Sequence, residues 1–115
     1  MHTAQKHDNV GIITVDPALS QGDRDELDAL TQLCAELQGQ GCLHIALDMA
    51  GLEHAPSLVL GSIIVLRQRL KAHDGELAIL RPTERMKRIL GITSMDKVVR
   101  IYADEGEALR ALARD

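Results

Sequence analysis

The chain has 115 residues, 45% hydrophobic and 26% charged, with a net charge of -4, one tyrosine and no phenylalanine or tryptophan. So few aromatic rings remove the stacking platforms that hold single-stranded nucleic acid, and the negative balance opposes a phosphate backbone, so no direct nucleic-acid ligand is expected. No apolar run reaches the roughly 20 residues of a membrane-spanning helix, and Met1 to Asn9 is polar; neither a membrane span nor a signal peptide is expected, which places the protein in the cytoplasm.

Taken in chain order, the polar start to Asn9 offers a hairpin partner for Val10 to Val15 (VGIITV), a β-branched run that ends in a turn at Asp16-Pro17. Ser20 followed by Asp23 resembles a capping box, and Asp23, Asp25 and Glu26 put negative charge where the dipole of a helix from Gly22 to Gln38 favours it. Leu27, Leu30, Cys34 and Leu37 form the apolar stripe of that helix, and Gly39 with Gly41 ends it. Leu43 to Met49 (LHIALDM) reads as a central strand covered on both faces. After a loop over Ala50 to Pro56 comes a helix from Ser57 to about His73. Asp74-Gly75 turns into a strand over Glu76 to Leu80, and Pro82-Thr83 opens a short helix carrying Met86, Ile89 and Leu90 that Gly91 closes. Val98 to Tyr102 is the last strand, and Asp104 with Glu107 caps a final helix carrying Ala108, Leu109 and Leu112.

This alternation of strand and helix implies an α/β fold: a four- or five-stranded, mostly parallel mixed sheet with about four helices packed on it, in one domain spanning residues 1–115. A chain of this length buries roughly 65% of its unfolded surface, enough for one core and no second. Cys34 and Cys42 show no metal or redox spacing and read as thiols that serve as small, partly buried packing residues.

From Leu47 to Leu70 (LDMAGLEHAPSLVLGSIIVLRQRL) the chain resembles the STAS domain, named for sulfate transporters and anti-sigma-factor antagonists. The family pattern is an apolar strand ending in Asp, a short loop, Asp-Ser-Ser-Gly-Leu-Gly, and an apolar helix ending in basic residues. Without gaps, Asp48 matches the strand-end Asp, Ser57 the first Ser, Leu60 the Leu and Gly61 the last Gly. Pro56, Leu58 and Val59 depart from the Asp, the second Ser and the first Gly. Gly75-Glu76-Leu77 resembles the family's turn into the next strand, and Arg88 to Lys97 its segment after the short helix.

The resemblance implies an anti-sigma-factor antagonist: a signalling module, not an enzyme and without a cofactor, whose partner is an anti-sigma factor that is also a serine kinase. It marks Ser57 as a phosphorylation candidate whose modification would release the complex. Physically, a phosphoserine adds about -1.5 to -2 charges, and at a helix amino end it meets free N–H groups and the positive end of the dipole. The other reading of Ser57 is a plain helix cap, and Pro56 favours it by removing the neighbouring carboxylate. Val59, Ile63, Leu66 and Leu70 recur at spacings of four, three and four and are expected to face the sheet. Leu58, Gly61 and Val65 then form a second strip which, with Pro56 and Ser57, makes the expected partner-binding surface; a homodimer would be another use of it. The small STAS subunit that sits on the ATPase of bacterial lipid-transport ABC complexes is an alternative relative. A small ligand-binding domain or enzyme is the alternative from another class.

Other constellations carry less. Asp48, His54 and Ser57 are the residue types of a hydrolytic triad, but G-x-S-x-G is missing. His2, His7, His44, His54 and His73 lack ligand spacing, so no metal is expected and they read as surface or strand residues. Thr93 and Ser94 read as polar residues terminating a helix.

Overall fold

The polar opening of the chain does become a strand. In the computed structural model, which describes residues 1–113, Thr3–His7 (β1) pairs antiparallel with Val10–Thr14 (β2) around a turn in which Asp8 takes a left-handed φ of 55°. His44–Asp48 (β3), Leu77–Leu80 (β4) and Arg100–Tyr102 (β5) add in sequence order, all parallel to β2, giving a five-stranded mixed sheet. The helices are α1 (Arg24–Gly39), α2 (Ser57–Lys71), α3 (Glu84–Ile92) and α4 (Glu105–Leu112).

Side chains alternate across the sheet, and each face has its own core. The row Ile13, Leu47, Ile79 and Ile101 faces α1, α2 and α3, whose stripes Leu27/Leu30/Cys34/Leu37, Val59/Ile63/Leu66/Leu70 and Met86/Leu90 cover it. On the opposite face Ile12, Ala46, Ala78 and Leu80 pack with Ala108 and Leu112 of α4. The apolar run expected for the central strand is fully buried from His44 to Asp48. Buried His44 fastens it to the next strand, because the Glu76 N–H donates to its Nδ1 at 3.0 Å. Gly75 permits that closeness: a Cβ there would lie 1.9 Å from the Leu43 carbonyl oxygen.

Several ends differ from the sequence expectation. Asp23, not Ser20, caps α1 by accepting from the Glu26 N–H at 3.1 Å. Pro17 starts a separate 3-10 turn over Pro17–Gln21, closed by Gly22 at φ 70°, and the Ser20 hydroxyl donates back to Pro17 within it. Gly91 lies inside α3 rather than closing it; Thr93 is the cap, and its hydroxyl donates to the Ile89 carbonyl at 2.8 Å. Val98 and Val99 precede β5, because Met95–Lys97 forms a short 3-10 turn against the core. Asp104 does cap α4 by accepting from the Glu107 N–H at 2.8 Å. Cys34 and Cys42 are both free and buried. Among the described residues, no helix is long and apolar enough to cross a membrane.

Candidate functional site

Because β2 to β5 run parallel, their carboxyl ends deliver the amino ends of all four helices to one edge of the sheet, where open α/β sheets present their binding loops. At this edge the turn before α1 packs against the loop before α2: a Cβ on Gly22 would sit 3.5 Å from the Pro56 ring, and one on Gly51 3.3 Å from the Pro17 ring. The β3 end is fixed by Asp48, whose buried carboxylate is ion-paired with Arg81 and accepts from the Ala50 N–H at 3.1 Å.

The amino end of α2 opens from this edge. Pro56 is its N-cap, at φ -60° and ψ 160°, and has no side-chain hydrogen bond to offer. Its carbonyl accepts from Val59 at 2.9 Å and Leu60 at 3.1 Å, while the N–H groups of Ser57 and Leu58 have no acceptor among the described residues. Ser57 is therefore the first helical residue, exposed and not a cap, which removes the capping alternative for its hydroxyl. Two free N–H groups and the dipole leave a positive amino end facing solvent.

The two flanks of α2 differ. Val59, Ile63, Leu66 and Leu70 are buried, as their spacing requires. Leu58 and Val65 are 42% and 46% exposed, and Gly61 between them has no atom within 4 Å of an added Cβ. They share a flank with Arg69, whose charge acts on the buried Cys34 thiol of α1, so this flank lies toward α1. Burial of Cys34 dominates and pushes that thiol up to about 12. Ile64, 37% exposed, lies on the opposite flank, toward α3.

The structure thus gathers Pro56, Ser57, Leu58, Gly61 and Val65 along one end and one side of a single helix. Sequence reasoning missed Ile64, although apolar residues at 59, 60, 63 and 64 already exceed one stripe. It also missed Arg81 as the partner of Asp48. His54 is exposed and shares no hydrogen bond with Asp48, whose carboxylate is committed elsewhere. Among the described residues no group of three His, Cys, Asp or Glu side chains is placed to hold a metal ion.

Comparison with known proteins matches the STAS domain family over residues 2–108. A candidate anti-sigma factor antagonist of Thermotoga neapolitana is 34% identical over 74 residues, covering 64% of this chain and 66%, just under two thirds, of that protein's length. Its Thermotoga maritima counterpart is 29% identical over 79 residues, covering 69% and 70%. In architecture, the solution structure of the protein TM1081 superposes with a TM-score of 0.82 at 24% identity, covering all of this chain and 90% of the other. The antagonist SpoIIAA superposes in its unphosphorylated form with a TM-score of 0.76 at 13% identity, each chain 96% covered. Its phosphorylated Bacillus form gives 0.73 at 16%, covering 96% of this chain and 98% of that one.

Proposed function

Since the chain belongs to the STAS domain family, we propose that it is an anti-sigma-factor antagonist-like switch that captures a partner protein through the amino end and α1-side flank of α2. The observation that carries this reading is the open end of α2: Ser57 exposed with its hydroxyl uncapped, beside solvent-facing Leu58 and Val65. Exposed apolar side chains in a cluster favour protein contact, and the flat Gly61 lets a partner approach the helix backbone. The partner is an anti-sigma factor with serine kinase activity, acting with this protein in the cytoplasm. A phosphate on Ser57 would sit over two free N–H groups, so α2 would stay folded while the docking surface gained negative charge and released the partner. SpoIIAA, known in both phosphorylated and unphosphorylated forms, is the precedent on the same fold. The domain works as one unit over residues 1–115 and without chemistry of its own.

Pro56 in place of the family carboxylate favours a second reading, a constitutive subunit that docks on an ABC transporter ATPase through the same surface without a phosphate cycle. A pull-down from the native cell with mass spectrometry of Ser57 tests both. The switch predicts co-purification of a kinase-fold protein, a phosphate on Ser57, and loss of the complex in Ser57→Asp but not in Ser57→Ala. A complex that tolerates Ser57→Asp overturns it, and an ABC ATPase as the retained protein establishes the second reading.

A further inference from the structure

The charge of this chain is segregated. Residues 1–63 carry nine acidic and two basic side chains, whereas residues 64–97 carry eight basic and four acidic ones. Of these basic side chains, Arg67 and Lys71 belong to α2 and Arg85 and Arg88 to α3.

Helical spacing puts Leu60, Ile64, Arg67 and Lys71 on the α2 flank opposite Arg69, and therefore toward α3. On α3, Lys87 lines a cavity with Ile101 and Tyr102 of β5, so the flank bearing Arg85, Ile89 and Ile92 is the one turned toward α2. Leu60 and Ile89 are half-buried against the core on these flanks, while Ile64 and Ile92 stand 37% and 84% exposed. Arg67, Lys71, Arg85 and Arg88 make no ion pair among the described residues, in contrast to Lys87, which meets Glu84 at 3.1 Å.

From these exposed isoleucines flanked by unpaired cations, we infer a second docking site, whose occupant is an acidic amphipathic helix of a partner protein. Its apolar stripe lies on Ile64 and Ile92, and its carboxylates reach Arg67 and Arg85. Exposed isoleucines flanked by cations match the apolar stripe and the acidic flanks of such a helix. Carboxylates satisfy the cations of both helices at once and set the orientation of the bound segment. Exposed carboxylates of Glu84 at the start of α3 and Asp96 just after it would oppose a flat anionic bilayer. The site does not depend on Ser57.

The test titrates the full chain with a synthetic helical peptide of about four turns. One version carries leucines on one face and glutamates on the flanks, and a control replaces every glutamate with lysine. The acidic peptide binds and shifts the methyl signals of Ile64 and Ile92, and the lysine version does not. Arg67→Glu with Arg85→Glu weakens binding by about tenfold or more. Ile64→Ser with Ile92→Ser abolishes it, and thermal melting followed by circular dichroism verifies that both variants are folded. Ser57→Asp leaves the titration unchanged, which separates this site from partner capture at the end of α2. Equal binding of the two peptides, no binding of either, or shifts at Leu58 and Val65 instead would overturn the inference. So would vesicles of anionic phospholipid that bind the chain more tightly than the acidic peptide does, or a concentration-dependent dimer that buries the same isoleucines.

Discussion

The carboxylate of Asp48 and the guanidinium of Arg81 are ion-paired across the carboxyl edge of the sheet, joining the end of β3 to the turn that leaves β4. Asp48 is buried, and Arg81 holds a left-handed φ of 51° while its own N–H donates to the Tyr102 carbonyl at 2.9 Å. The hydrogen bond to Asp48 raises the Arg81 guanidinium further above its already high ordinary value. Replacing Arg81 by Ala leaves a buried carboxylate with one N–H donor and should cost about 1–3 kcal/mol of stability in a denaturant titration. Arg81→Gly removes the same pair but is free to adopt the left-handed backbone, so its loss should be smaller by about 1 kcal/mol. Equal losses in the two variants would show that the backbone there is unstrained.

Two glycines should respond in opposite directions to the same methyl group. Gly75→Ala drives a Cβ into the Leu43 carbonyl and is expected to cost about 3 kcal/mol, since main chain on both sides must move. Gly61→Ala meets nothing within 4 Å inside α2 and should raise stability by about 0.5–1 kcal/mol through helix propensity. Thermal melts of the two variants check both signs.

The faces of α2 should separate cleanly in a mutational scan. Ile63→Ala empties part of the core and should cost about 2–5 kcal/mol. Leu58→Ser and Val65→Ser alter exposed positions and should stay within about 0.5 kcal/mol of the parent, while weakening capture of the partner. A large stability loss in Val65→Ser would mean that this flank is covered.

Cys34 supplies a pH dependence. Its thiol is held up to about 12 by burial, above the roughly 8.5 of a free cysteine, so the folded state keeps its proton where the unfolded state would lose it. The stability this confers is fully present below about pH 8.5 and is lost as pH rises toward 12. Alkylation by iodoacetamide at pH 8 should therefore be slow in the native protein and fast in denaturant. Cys34→Ala should flatten part of the alkaline decline measured in denaturant titrations.

Periodicity made most of the architecture readable. The stripe from Val59 to Leu70 and the mostly apolar run of β3 fit a helix lying on a sheet and a strand covered twice. Helix ends were less legible, because Ser20 and Asp23 both precede an acidic residue by three positions and only the 3-10 turn started by Pro17 decides between them. Ser57 was legible as a site through the family pattern, but its place one step inside the helix depends on the backbone of Pro56. The Asp48–Arg81 pair had no signal at all. It joins residues 33 positions apart, and the proline after Arg81 only tells that the ordinary right-handed conformation is disfavoured there.

A chain that fills its interior without phenylalanine or tryptophan leaves Tyr102 as its sole ultraviolet-emitting side chain, on β5 and packed with α4. The molecule thereby carries an intrinsic optical label in the layer opposite α2, with its hydroxyl secluded from water and free of any protein partner among the described residues. Ultraviolet emission from this one phenol reports on the surroundings of β5, so a ligand engaging α2 can be followed for long-range effects without attaching a dye.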